Sequence, residues 1–249
     1  MIGSHHNAGL RLQVTKDYAA LSTAAAGVIL EELRHKPDLV LCVSAGGSPT
    51  GTYEVLAEHY ASRPALFRRM RILQIDEWGG LPAHSPGTCL ADLEQKVLGP
   101  LQIQRKRCHL FRSDTAEPKR ECQSASRWLA RNGPIDICIL GLGLNGHIAM
   151  NEPAEALIPY PHVAKLAPRS LHHPMLGKSG PRPRYGLTLG LGDLLRSRKI
   201  LLLVSGTKKR AILKRMLKPS VSPRLPASFV WLAVDATVIC DQAAIGTRK

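Results

Sequence analysis

The sequence predicts an α/β fold, a single domain in which a doubly wound, mainly parallel sheet carries helices on both faces. Three observations predict it. Short apolar runs without alternation, such as residues 38–44 (D-L-V-L-C-V-S), 135–140 (I-D-I-C-I-L) and 199–205 (K-I-L-L-L-V-S), mark strands buried on both faces. These runs alternate with helical patterns along the chain, the order that strand–helix–strand crossovers produce. Hydrophobic residues make up 44% of the 249 residues and aromatics only 4%, so the core is built from Leu, Ile, Val and Ala rather than from the rings of a β-sandwich.

Taken in order, residues 1–10 are polar and read as a frayed end, and an alanine-rich helical run over 18–33 stops before Pro37. The strand at 38–44 runs into Ala45-Gly46-Gly47-Ser48-Pro49-Thr50-Gly51 and a helix over 52–60, with Ser48 placed to cap it and Pro49 in its first turn. Residues 71–75 (R-I-L-Q-I) form the next strand, ending in Asp76-Glu77-Trp78. A turn at 86–88 leads to an amphipathic helix over 89–97, a short strand at 108–111 and a helix over 121–130, which delivers the chain to the strand at 135–140. Residues 153–184 are rich in Pro, His and basic residues with little periodicity, the composition of a lid or binding loop, and a short strand is expected at 163–166. Residues 186–192 (G-L-T-L-G-L-G) and 199–205 are two more buried strands. A helix over 209–217, a helical piece at 226–232 and a last strand at 236–240 complete the chain, with no repeat or domain boundary.

The formal charge of +15, with a pI near 9.9, admits nucleic acid, anionic lipid or small anionic substrates as partners. The basic residues gather at 68–71, 105–107, 196–199 and 208–215 without the interleaved aromatics on which bases stack, which favours a solvated basic surface over nucleic-acid binding. None of the six cysteines forms a C-x-x-C pair, and Cys42, Cys138 and Cys240 lie in apolar runs as small buried hydrophobes. With no signal peptide and no stretch approaching 18 apolar residues, a soluble cytoplasmic protein with reduced thiols and no membrane partner is expected. The ten histidines show no zinc spacing, so no metal site is expected.

The chemistry-bearing residues fall at strand carboxyl ends, where open α/β sheets place ligands. In residues 141–152, Gly141, Gly143 and Gly146 let the backbone turn while Asn145, His147 and Glu152 arrive within eight residues of one another. Alone, such a loop is equally an ordinary turn with a structural histidine. Gly46 and Gly47 before a helix leave backbone N–H groups and the positive helix end at one spot suited to phosphate; the lysine of a nucleotide P-loop is missing, and a plain βα turn is the alternative. Asp76 and Glu77 are paired acids whose repulsion raises one pKa and suits proton abstraction, unless one merely caps a turn while the other is solvated. Lys208 and Lys209 at a helix start oppose its dipole unless an anion lies between, and they read equally as solvated lysines. Arg169 and His172, in the irregular segment, are exposed candidates for anion contact.

Together, Gly46-Gly47-Ser48-Pro49, Ile75-Asp76-Glu77-Trp78, residues 141–153 (G-L-G-L-N-G-H-I-A-M-N-E-P) and Tyr185-Gly186-Leu187-Thr188-Leu189-Gly190 resemble the glucosamine-6-phosphate deaminase and 6-phosphogluconolactonase family, over about residues 12–241. The element N-G-H-I-x-x-N-E-P resembles the deaminase side, and D-E-W followed by L-P-x-x-x-P-G-T-C, T-L-G-L-x-D-L-L and P-A-S-F-V-W-L looks most like the galactosamine-6-phosphate isomerase branch. The resemblance implies a Rossmann-like sugar-phosphate isomerase fold. It also implies conversion of galactosamine 6-phosphate, or its glucosamine epimer, to a ketohexose 6-phosphate and ammonia.

By that resemblance Asp76 is the enolising base that moves a proton from C2 to C1, His147 opens the sugar ring, and Glu152 orients the imidazole. Asn145 stands where many members have aspartate, and Ala45 where a threonine is frequent. Phosphate contacts are implied at Gly46, Gly47, Ser48, Lys209 and Arg169, with Glu77 among the substrate-binding residues. No metal or organic cofactor is implied, because the substrate's own amine and carbonyl carry the electrons. A 6-phosphogluconolactonase-type hydrolase is the second enzyme reading, against which Asn151-Glu152-Pro153 argues. A non-catalytic sugar-phosphate-sensing regulator module is a third; it lacks room before residue 11 for a helix-turn-helix. A homo-oligomer stays open.

Overall fold

The computed structural model describes residues 10–83, 85–168, 170–177 and 180–246. Its main sheet has seven strands, all parallel: β1 (Leu10–Thr15), β2 (Val40–Val43), β3 (Arg71–Gln74), β5 (Cys108–His109), β6 (Ile137–Gly141), β9 (Lys199–Val204) and β10 (Ala236–Asp241), in the spatial order β1-β10-β9-β6-β2-β3-β5. The intervening helices are α1 (Tyr18–His35), α2 (Gly47–Ser62), α3 (Cys89–Leu93), α4 (Pro118–Asn132), α5 (Leu191–Leu195), α6 (Arg210–Met216) and α7 (Gln242–Ile245).

The unbroken apolar runs behave as both-face burial requires. Alternate residues of the same strands enter different cores: Leu41, Val43, Ile137, Ile139, Leu201 and Leu203 pack with the buried stripes of α1 and α2, whereas Cys42, Cys138, Leu140, Ile200 and Leu202 pack on the other face with residues of α4 to α6. Helices therefore cover both faces, as the sequence predicts. Five of the six cysteines are buried and Cys108 is half-buried, all free. Among the described residues no helix is long and apolar enough to cross a membrane.

The local differences have physical causes. Leu10 is not frayed but opens β1, whose L-R-L-Q-V-T pairs with β10 along its whole length; residues 1–9 lie outside the described residues. Ser48 does not cap α2. The cap is Gly46, and Ser48 is the second helical residue. The helix expected at 89–97 is α3 followed by a π-helical turn, Glu94–Leu98. The start expected at Lys209 is a 3-10 turn, Thr207–Lys209, that feeds α6.

The main correction concerns Asp76-Glu77-Trp78 and residues 186–192. Neither belongs to the parallel sheet. Asp76–Gly79 forms β4, which pairs antiparallel with β8 (Tyr185–Thr188), and β7 (His162–Ala164) pairs on the other edge of β8 to make a second, three-stranded sheet. The chain breaks out of β3 at Ile75, and Leu189 N–H closes the junction by donating to Ile75 C=O at 2.9 Å. After β8 the chain turns at Leu191 into α5 instead of continuing as strand.

Candidate active site

In the main sheet β2 is followed in space by β3, whereas β6, its other neighbour, is followed by β9 on the opposite side. The loops after β2 and β6 thus diverge and leave a crevice at their carboxyl ends, the topological switch point of a doubly wound sheet. A cavity of about 540 Å³ lies there. Its wall is drawn from four strand ends: Ser44 to Pro49 after β2, Asp76 and Trp78 after β3, Gly141 to Glu152 after β6, and Lys209 after β9.

The small sheet brings two of these together. Asp76 stands opposite Thr188 in the β4–β8 ladder, and the Thr188 hydroxyl accepts the Met150 N–H at 3.2 Å. Asn151 donates from its amide to Ile148 C=O at 3.1 Å and Leu189 C=O at 3.0 Å. One strand therefore holds both Asp76 and the loop that carries His147 and Glu152.

Glu152 is anchored by three donors. It accepts from the Asn145 amide at 2.7 Å, from the Ala167 N–H at 3.4 Å and from the Ser170 hydroxyl. Its Oε2 lies 3.3 Å from His147 Nδ1, an ion-pair distance at which the ring is not aligned for a hydrogen bond. Burial pushes the Glu152 carboxyl up, but His147, Ser170 and Asn145 together outweigh it and hold the group at about 2. Asn145 also accepts the His147 backbone N–H at 3.1 Å, so one amide braces both partners. Gly143 is required beside them, because a Cβ there would lie 2.4–2.5 Å from three atoms of the His147 ring.

Asp76 has the opposite environment. Burial raises its pKa, the charge of adjacent Glu77 raises it further, and a Cys89 side-chain contact only partly offsets them, leaving it at about 7. Glu77 corrects the expectation of a substrate contact. On β4, alternation turns it away from the Asp76 face, and it is fully buried outside the cavity wall. There it accepts the N–H groups of Trp78, Cys89 and Leu90 at 2.7, 2.8 and 2.7 Å and the Gln74 amide at 3.1 Å. Burial still raises the Glu77 pKa despite these donors.

Gly46 caps α2 with φ of +100°, a conformation closed to side-chain-bearing residues. Its N–H is not open to a ligand, as the glycine pair suggests, but donates to Asp92 Oδ2 at 3.0 Å. Gly47 and Ser48 begin the helix, where backbone N–H groups lack intrahelical acceptors. Lys209 crosses from the end of β9 and donates to Leu142 C=O after β6. Arg169 and the His172 side chain lie outside the described residues. Sequence reading missed Trp78, Ser170, His173 and Met175, which line the same cavity. Burial lowers the His173 pKa, with the charges of His147 and Lys209 adding to it. Among the described residues no group of three or more His, Cys, Asp or Glu could hold a metal ion.

Comparison with known proteins places these features. The family model described as glucosamine-6-phosphate isomerases/6-phosphogluconolactonase matches residues 16–239. A relative from Escherichia coli (strain K12), "Putative deaminase AgaI", is 39% identical over 221 residues, covering 89% of this chain and 88% of its own. The glucosamine-6-phosphate deaminase of Geobacillus sp. (strain WCH70) is 30% identical over 238 residues, covering 95% of each. The solved structure of a monomeric glucosamine-6-phosphate deaminase superposes with a TM-score of 0.90 at 28% identity, over 95% of this chain and 99% of that one. A 6-phosphogluconolactonase from Trypanosoma brucei, at 18% identity and a TM-score of 0.73 over 94% of this chain and 96% of its own, shares the fold. The chain belongs to the glucosamine-6-phosphate isomerase/6-phosphogluconolactonase family of enzymes.

Proposed function

We propose that the protein is a deaminating isomerase of hexosamine 6-phosphates, acting on galactosamine 6-phosphate or its glucosamine epimer. The observation that carries this is the pair of carboxylates pushed apart in one cavity, Asp76 to about 7 and Glu152 to about 2. Environments that separate two acids this way divide proton-transfer roles between them.

His147, set beside the ionised Glu152, passes a proton to the ring oxygen as the C1 hydroxyl loses its own, which opens the sugar to its aldehyde form. Asp76 then takes the proton from C2 and returns it to C1. The C1 oxygen takes up the proton that the C2 amine gives up, so C1 becomes a hydroxymethyl group and C2 an imine, which water hydrolyses to the ketone with release of ammonia. The 6-phosphate is held by the Gly47 and Ser48 N–H groups at the start of α2 and by Lys209, with Arg169 as a further contact. The catalytic steps draw on the substrate's amine and carbonyl and need no cofactor.

Ammonia release from each amino-sugar 6-phosphate tests the reading. Release from at least one of the two epimers is the expected outcome, with the ratio of their kcat/KM values assigning the preferred one, and release from neither removes the proposal. Hydrolysis of 6-phosphogluconolactone without ammonia release from either amino sugar would move the chain to the lactonase reading.

A further inference from the structure

The Gly46 N–H points at a carboxylate that belongs to the protein. Asp92 lies one turn into α3 and reaches Gly46 from outside the cavity lining. Its side chain is 14% exposed, and its second oxygen sits 2.5 Å from Lys96 Nζ on the π-helical turn that follows α3. Its charge is felt at His173, a residue of the cavity wall. The other end of α3 is fixed as well: the Cys89 and Leu90 N–H groups are held by Glu77, whose chain neighbour is Asp76. One short helix thus grips the strand that carries Asp76 with its first residues and the loop that opens α2 with its fourth.

We propose that Asp92 is a positioning residue for the anion cradle: by accepting the Gly46 N–H, it sets the peptide before α2 so that the next N–H groups, Gly47 and Ser48, face the phosphate at a fixed separation from Asp76. The proposal rests on the reading that this cradle takes the 6-phosphate. Gly46 is held on its other side by Thr50, whose hydroxyl donates to Gly46 C=O at 2.8 Å, so the acceptor on its N–H is the remaining constraint on that residue. A bare carboxylate beside an anion site would repel the ligand. Lys96 removes this conflict, since it cancels the Asp92 charge and leaves its oxygen free to accept. The arrangement therefore needs an acceptor at position 92 and not a negative charge.

Three variants separate these requirements. Binding of an unreactive open-chain hexitol 6-phosphate is measured by calorimetry, alongside kcat and KM with the amino-sugar 6-phosphate. Asp92→Ala, which deletes the acceptor, should weaken hexitol 6-phosphate binding and raise KM by about tenfold while kcat changes less than about threefold. Asp92→Asn keeps one acceptor oxygen but turns its NH2 toward Lys96 or Gly46, so it is read together with Lys96→Met, where the oxygen is free for Gly46. Lys96→Met uncovers the Asp92 charge and should weaken binding, and adding Asp92→Asn to it should restore affinity. Where Asp92→Ala does not fold, Asp92→Leu and the Lys96→Met pair carry the test. Unchanged affinity in Asp92→Ala, no recovery when Asp92→Asn is added to Lys96→Met, or kcat and KM falling together would each overturn the proposal. A parent enzyme that releases no ammonia yet loses hexitol 6-phosphate binding in Asp92→Ala alone would remove the deaminase reading and leave this one standing.

Discussion

The raised pKa of Asp76 makes a quantitative demand on the pH dependence of turnover. A base must be ionised, and Asp76 titrates at about 7 because it is partly buried in the cavity wall and lies beside the Glu77 carboxylate. At pH 6, one unit below, about a tenth of Asp76 is ionised, so kcat/KM should fall to about a tenth of its plateau. A carboxyl at its ordinary value near 3.8 would leave the rate flat down to pH 5. The substrate phosphate also titrates near 6, so the affinity of an unreactive hexitol 6-phosphate is followed over the same range and divided out. Glu77→Gln removes the second cause and keeps the first, so the acid limb should move to lower pH without reaching the ordinary carboxylate range. A flat profile between pH 5 and 8, or a limb that Glu77→Gln leaves in place, would refute the assignment of Asp76 as the base.

Stability should report the same carboxyl. Because the fold raises the Asp76 pKa, its stabilising contribution is complete below about 3.8 and lost as pH rises through about 7. Asp76→Asn should therefore gain Tm over the parent at pH 8 relative to pH 4.5, by about 2 kcal/mol or ~5 °C after discounting for solvent access, while turnover disappears. Gly143→Ala would force the His147 ring aside, since the added Cβ meets it at 2.4 Å; kcat should drop by about a hundredfold with hexitol 6-phosphate binding unchanged. Ser170→Ala removes one donor from Glu152, and urea titration should show a loss of about 1–2 kcal/mol at pH 7 that shrinks as pH falls from 4.5 toward about 2.

The inner strands of the main sheet were legible because burial on both faces leaves unbroken apolar runs, which few other structures require, whereas β1 at the edge, largely exposed and without such a run, was not. The second sheet was not. Asp76-Glu77-Trp78-Gly79 has neither an apolar run nor alternation, and its pairing with Tyr185–Thr188 is decided by where Leu189 meets Ile75, more than 100 residues away in the chain. Asp92 was hidden for a related reason. An Asp–Lys pair four residues apart on an amphipathic helix is the pattern of a solvated surface, and only the fold turns that face toward Gly46.

The division of roles between the acids shows where such reading ends. The motifs name Asp76, Glu77 and Glu152, and by residue type the three are interchangeable. What separates them is the balance between burial and the donors and charges each one meets. Glu152 faces His147 and receives Asn145, Ser170 and Ala167, which together outweigh its burial, whereas Glu77 receives four donors but is fully enclosed, and burial still raises its pKa. Asp76 is left with burial and that neighbour. Most of these donors are backbone N–H groups of α3 and the loops, supplied by position and not by side-chain identity. A carboxylate's role in this cavity is therefore a property of the helix and strand ends around it, and the pH limb of turnover should follow Glu77 and α3 as closely as it follows Asp76 itself.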